Sequence, residues 1–256
     1  MNREKKFDKS LALGIVSLAV LTTAIGVWME RSRFSPSERQ FSSGFTNHVL
    51  AIELVRTPDD VLEIVGELGD PNREVMRGKV RKDFLFIPSY GLLFAALGWL
   101  LGRSHNRYAR WVGIAIVACA AGAAVFDVME NQWILRILDV RLADTSETML
   151  DSVHSAALVK WALVFIALAL LSPIVLLRRE LFTLPIGSSR LGSILGVIIA
   201  LAYLLAATIG LIGLTRNPLI EKASIFMSLA LLLTVLLLLI GLVPRRSPGN
   251  SSRQRM

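Results

Sequence analysis

Six long apolar blocks limit what this chain can fold into more than any other feature of its sequence. A helix needs roughly 20 apolar residues to cross the hydrocarbon core of a bilayer, and each block approaches that length. With 54% hydrophobic and 19% charged residues, the chain is also more apolar than ordinary soluble domains. We therefore predict an all-α fold, a polytopic membrane helix bundle. Its six transmembrane helices are assigned to residues 11–29, 84–101, 111–131, 153–177, 191–214 and 223–243.

The lysine and arginine residues indicate the orientation of the bundle. With both termini in the cytoplasm, the cytoplasmic pieces hold 14 of the 28 Lys and Arg residues but only three acids, as the positive-inside rule predicts. Residues 1–10 are then a cytoplasmic N-terminus, 30–83 an extracytoplasmic segment and 244–256 a basic cytoplasmic tail. The basic run between Arg77 and Lys82 would favour a cytoplasmic location for its loop. That loop is long and rich in acids, so the short loops are the better guide to orientation. Topology accounts for the net charge of +8, so we expect no nucleic-acid partner.

The extracytoplasmic segment contains one clear helix signal, at residues 58–68. Thr57 is a good N-cap, Pro58 suits the first helical position, and apolar residues then recur at helical spacing. This amphipathic helix is a possible docking surface for a protein partner. Residues 47–54 fit a helix or a strand equally well, and we interpret His48 as an ordinary surface histidine rather than a metal ligand.

The third apolar block points to a candidate site. Trp111–Phe126 is short for a span, so the helix must continue through Asp127 to Asn131. Small residues share one helical face with Asp127; because such faces pack closely against neighbouring helices, Asp127 is predicted to point into the bundle. The candidate ligand-binding residues at this level of spans two to four are Asp83, Tyr90, Asp127, Glu130, Asn131, Asp151, His154 and Lys160.

Lys160 lies inside the fourth apolar block, where a charge is costly. Two alternatives remain open from the sequence. The side chain either pairs with Asp127 or Glu130 across the helix interface, or extends to the outer head groups.

Three functions are compatible with these polar residues. The first is an outward-facing pocket between spans two, three and four that binds or moves a lipid or a small amphipathic solute. The second is an intramembrane metal-dependent hydrolase, although no H-x-x-x-H or H-E-x-x-H spacing occurs. The third is a membrane scaffold whose polar residues only satisfy helix ends. We expect no cofactor and no bound metal, and the candidate partners are membrane lipid and a small amphipathic ligand.

Two short motifs carry a resemblance that covers roughly Phe45 to Lys160. They are the DFLFIPSY run at 83–90 and the D-x-x-E-N pattern at 127–131. In these motifs the chain resembles a family of uncharacterised multi-spanning bacterial membrane proteins with no assigned activity. The resemblance implies a multi-pass protein of the bacterial plasma (inner) membrane. It also implies that five residues are important: Asp83, Tyr90, Asp127, Glu130 and Asn131.

Overall fold

The computed structural model describes residues 2–35, 40–104, 106–177, 189–215 and 218–242. Within these ranges the chain forms α-helices, one short 3₁₀ turn and no strand. The basic tail predicted at 244–256 lies outside the described residues. The α-helices are α1 (Asn2–Glu30), α2 (His48–Glu53), α3 (Pro58–Val65), α4 (Pro71–Gly102), α5 (Arg107–Asp139), α6 (Glu147–Leu177), α7 (Ser189–Gly213) and α8 (Leu219–Leu242).

Six of these helices are long and apolar enough to cross a membrane, which confirms this part of the predicted fold class. Helices α4, α5 and α6 have 32, 33 and 31 residues. At 1.5 Å per residue they are about 46–50 Å long, well beyond the roughly 30 Å of a hydrocarbon core. Their polar ends therefore extend past the apolar band.

The long helices pack in sequence order. Helix α1 contacts α4, and α4, α5, α6 and α7 each contact the next helix along the chain; α8 also contacts α1. The six helices thus close into a ring. The short connections between α4 and α5, between α5 and α6 and between α7 and α8 favour this arrangement, because consecutive helices become antiparallel neighbours.

Three glycines set the distance between α4 and α5. A Cβ atom added at Gly113 would lie 2.6 Å from both the Cα of Gly102 and the carbonyl oxygen of Gly98. The contacting atoms are backbone, so a side chain cannot be accommodated by rotating a neighbour. Such close approach is how helices in membranes gain van der Waals contact without a hydrophobic driving force.

The segment between α1 and α4 packs against one end of the ring. Thr57 and Asp60 form a reciprocal capping box at the start of α3, as the sequence predicts for the Thr57 cap. The helix predicted to reach residue 68 instead ends at Val65. Gly66 terminates it with φ +75°, a conformation that favours glycine.

The apolar stripe of α3 is already used inside the protein. Val61, Ile64 and Val65 are buried in the core, where α3 contacts α2, α4 and the 3₁₀ turn. Leu62 and Leu68 remain exposed. The predicted docking surface at 58–68 is therefore reduced to two scattered leucines, and single exposed apolar residues are common on protein surfaces.

Two further contacts attach this segment to the bundle. The carboxylate of Glu221, in the first turn of α8, accepts hydrogen bonds from the backbone N–H groups of Thr46 and Asn47, both at 2.8 Å. His48 is buried and stacks on Phe34 with ring centroids 4.0 Å apart. The interpretation of His48 as a surface histidine is therefore wrong: the ring packs as part of an aromatic cluster.

Two arginines before span two, Arg73 and the first residue of the basic run, Arg77, also have structural partners. Arg73 is almost fully buried and donates to the carbonyl oxygens of Gly66 and Val140, at 3.0 and 2.8 Å. Arg77 pairs with Asp139 at 2.6 Å. Both cations lie at the carboxyl end of α5, where the helix dipole favours positive charge. These arginines hold α4 against α5, so Arg77 has a structural role in the run that departs from the charge pattern.

Prediction for the α4–α5 crossing: Gly113→Ala should destabilise the protein by about 1–3 kcal/mol, because the new methyl group overlaps backbone atoms. A lower apparent Tm of the purified protein in detergent would show this effect. Gly78→Ala in α4 is the matched control, since nothing lies within 4 Å of its added Cβ. It should be neutral or stabilise by up to about 1 kcal/mol. Equal Tm values for both variants would contradict the close crossing.

Candidate functional site

The ammonium group of Lys160 lies at the centre of a buried cluster of charges. Its Nζ atom is 3.0 and 2.8 Å from the two carboxylate oxygens of Glu130, and 3.3 Å from Oδ1 of Asp127. Asp127 and Glu130 are one helical turn apart on α5, so both face α6. Glu130 is 0%, Lys160 4% and Asp127 5% exposed. The structure therefore shows the ion-pair alternative for Lys160, and the alternative of a lysine extended to the head groups is wrong.

A third carboxylate reaches this cluster from outside the long helices. Oε2 of Glu53, the last residue of α2, lies 3.1 Å from Nζ of Lys160 and accepts a hydrogen bond from Nε1 of Trp161 at 2.9 Å. Burial raises the pKa of Glu53 above its ordinary value, while the Lys160 charge opposes that change. We call Glu53, Asp127, Glu130 and Lys160 the acid–lysine cluster.

Two polar side chains of α4 extend the cluster. Tyr90 donates its hydroxyl to Oδ2 of Asp127 at 2.6 Å. Asn131 donates its amide N–H to Oδ2 of Asp83, also at 2.6 Å. Asp83 is close enough to Asp127 to interact with it electrostatically. Helices α4, α5, α6 and α2 therefore all contribute polar groups at one level of the bundle.

Neighbouring side chains place this level inside the apolar band. Val125 and Met129, which flank Asp127 on α5, are exposed on the outer surface of the ring, as are Leu85 on α4 and Val159 on α6. Charged groups and outward-facing apolar groups thus occupy the same turns. Water would solvate neither set well, because the charges are enclosed and the surrounding surface is apolar.

Two tryptophans on α5 give a second estimate of depth. Trp111 is exposed near the start of the helix, and Trp133 packs under the guanidinium of Arg136 at 4.4 Å. Tryptophans typically mark membrane–water interfaces. The two positions are 22 residues apart in sequence, which corresponds to about 33 Å along the helix, close to the thickness of a hydrocarbon core. On that scale Asp127 lies about 9 Å inside the Trp133 level.

The charges of this site do not balance. Three carboxyl groups, those of Glu53, Asp127 and Glu130, surround one ammonium group, and a fourth, that of Asp83, lies nearby and bonds to Asn131. Removing several charges from water costs several kcal/mol per ion unless each finds a partner. A single lysine cannot neutralise four acids, so the site has an excess of negative charge or takes up protons or another cation.

Two of the predicted site residues lie away from the cluster. Asp151 is exposed. His154, one turn further along α6, is half-buried; its ring is near the backbone of Leu54 and the charge of Arg56, and its Nδ1 has no hydrogen-bond partner among the described residues. Both residues face a different side of α6 from Lys160.

Glu53 and Trp161 were not among the predicted site residues. Glu53 closes the run Val49–Glu53, where an acid stands between Ile52 and Leu54 in an otherwise apolar stretch. An acid in such a run is a signal of a buried partner, because isolated charges are rarely buried. A lysine inside a predicted span, here Lys160, likewise indicates a buried partner of opposite charge. Neither signal identifies the partner by itself.

Comparisons of the chain with protein-family models, with curated proteins and with solved structures find no match. The resemblance in the DFLFIPSY and D-x-x-E-N motifs is therefore not supported by a family match and carries no further argument. Within the described ranges, no group of three His, Cys, Asp or Glu side chains is placed to hold a metal ion.

Prediction for the acid–lysine cluster: Lys160→Met should destabilise the protein by about 3–5 kcal/mol, because it leaves buried carboxylates without their cation. Thermal unfolding in detergent measures the loss. Lys82→Met serves as the control, since Nζ of Lys82 contacts the Ser32 hydroxyl at 3.0 Å and the Trp28 ring instead of an acid. That change should cost about 1 kcal/mol. A Lys160→Met protein as stable as the control would contradict a charged cluster.

Proposed function

We propose that this chain is a multi-pass protein of the bacterial plasma membrane that binds or moves a lipid or a small amphipathic solute. The acid–lysine cluster would hold the polar head, and the apolar surface around it would receive the tail. The observation that carries this proposal is the burial of several charges at a level where the outer surface of the ring is apolar. Charged residues inside membrane segments usually serve a ligand or an ion, because their burial is expensive.

Access to such a site requires a moving part, and α2 is the best candidate. The cluster is enclosed, with Glu53 and Trp161 covering it from the side of α2. Helix α2 has only six residues and is not one of the six long helices. If α2 moves away, the Lys160 ammonium and the Trp161 N–H lose one shared acceptor, and a polar head can take its place.

A membrane scaffold is the second candidate function. The contacts of Glu53 with Lys160 and of Glu221 with Thr46 and Asn47 attach the segment before α4 to the bundle. In this case the charges would only fix the arrangement of the helices. The hydrolase alternative is not proposed, because the cluster is centred on a lysine, which is not a metal ligand at neutral pH.

Ligand binding can be tested by native mass spectrometry of the protein purified from membranes. Glu130→Gln should lower the fraction carrying a co-purified amphipathic molecule by about tenfold or more, because a hydrogen bond to a charged group contributes about 1.5–3 kcal/mol. Glu147→Gln, an exposed change on α6, should leave that fraction unchanged. Equal retention by both variants, or no bound molecule on the wild-type protein, would favour the scaffold.

A further inference from the structure

His154 lies at the contact between α6 and the chain just after α2. Its Nδ1 atom is fully buried and has no hydrogen-bond partner among the described residues, and its ring is near the backbone of Leu54 and the charge of Arg56. We propose that His154 is a pH sensor for the position of α2, and that protonation of its ring displaces α2 from α6. This role uses the movement of α2 that the proposed function requires, but it needs no ligand at the acid–lysine cluster.

The end of α2 contacts one face of α6 at two levels. Trp161 follows His154 by seven positions, so the two side chains lie on the same helical face, about 10 Å apart along the axis. Trp161 donates its N–H to Glu53 at 2.9 Å, and His154 is near the next residue, Leu54. A change of charge at His154 therefore acts on the segment that places Glu53 beside Lys160. We call α2 seated when these contacts are made.

The surroundings of the ring suit its neutral form when α2 is seated. In the protonated ring both nitrogens carry a hydrogen, so Nδ1 becomes a charged donor, buried and without an acceptor among the described residues. Burying an unsatisfied polar group costs free energy, and a charged one costs more. The nearby guanidinium of Arg56 adds repulsion between like charges. Displacement of α2 admits water to the ring and lowers both costs.

His154 also lies at a depth that protons can reach. It precedes Lys160 by six positions, or about 9 Å along α6 towards the start of that helix. Because the acid–lysine cluster lies about 9 Å inside the Trp133 level, His154 is near the level of the membrane–water interface. Its side chain is half-buried. The pH of the aqueous phase on the side of α2 can therefore act on this ring.

Two acids near the end of α2 also respond to pH. Asp151, one turn before His154, attracts a protonated ring, but it is exposed and salt in the water screens it. Burial raises the pKa of Glu53 above its ordinary value, so a fall in pH favours the seated state through that group. His154 has the opposite sign. Its neutral form suits the seated state, so seating is lost as the pH falls through the ordinary histidine range, at about 6.5.

The other helices that pack against α6 are α4, α5 and α7. The titratable side chains that they turn inward at this level have other partners: Asp127 and Glu130 bind Lys160, Asp83 binds Asn131, and Tyr90 binds Asp127. Among the described side chains of α7, 193–213, Tyr203 alone is titratable, and it bonds to Thr234 of α8. His48, at the other end of α2, stacks on Phe34 and is the one further histidine whose titration could move α2.

The test measures amide hydrogen exchange of α2 by mass spectrometry, on the full-length protein in lipid nanodiscs at about pH 8 and about pH 5.5. His154→Gln keeps a neutral polar side chain and removes the titration. Comparing it with the wild-type protein at the same pH cancels the intrinsic effect of pH on exchange. At pH 5.5 the wild-type α2 amides should exchange about tenfold faster than those of His154→Gln, the effect of one buried charged group without a partner. At pH 8 the two proteins should exchange at equal rates.

His48→Gln is the matched control, since it removes the histidine of α2 itself. It should keep the faster exchange at low pH that His154→Gln lacks. Circular dichroism at pH 8 establishes that each variant is folded, and His154→Asn repeats the comparison with a second neutral side chain. Peptides from the start of α5, 107–117, should exchange equally in all variants.

Three outcomes would overturn the sensor. They are equal α2 exchange in the wild-type protein and both His154 variants at pH 5.5, a response that His48→Gln abolishes and His154→Gln keeps, and faster exchange at low pH throughout α5 as well as α2. None of these measurements involves a ligand. The proposed binding function is decided separately, by the molecules retained in native mass spectrometry.

Discussion

The ion pairs of Lys160 are the interaction on which the rest of the site depends. One ammonium group connects α6 to two carboxylates of α5 and to Glu53 at the end of α2. Replacing a buried ion pair by apolar residues is often neutral or stabilising, whereas removing one partner is costly. The cluster therefore adds little that apolar packing would not supply. What it does specify is which faces of α5 and α6 meet and where α2 attaches.

The glycine contacts and the arginine contacts fix the frame around this cluster. Gly98, Gly102 and Gly113 bring α4 against α5 at one end of the pair. Arg73 and Arg77 hold the same two helices together at the other end. With both ends constrained, the phenol of Tyr90 is held within hydrogen-bond distance of Asp127. The glycine contacts and the arginine contacts thus position Tyr90, although Tyr90 takes part in neither set of contacts.

The sequence predicted the long helices well, because each apolar block by itself has about the length that a helix needs to cross a bilayer core. It also predicted that Asp127 faces inward, since the small residues of α5 lie on the same face. It did not predict the partnership of Glu53 with Lys160, because 107 residues separate them and residues 47–54 fit a helix or a strand. The end of α3 was misplaced for a local reason. Gly66 and Gly69 both permit a stop, and a Cβ at Gly66 would meet Oδ2 of Asp70 at 2.4 Å.

The position of Glu53 couples the segment outside the long helices to the charge of the site. When α2 is seated, Lys160 has three acids as partners; when α2 is displaced, it has two, and Trp161 loses its acceptor. A ligand that binds the seated and displaced states of α2 with unequal affinity must shift the equilibrium between them. By linkage, anything that displaces α2 must change the affinity of the acid–lysine cluster for that ligand by the same factor. Glu221 holds the residues just before α2 against α8. The contacts of Glu221 thus connect α8 to the residues before α2, and through Glu53 to the acid–lysine cluster.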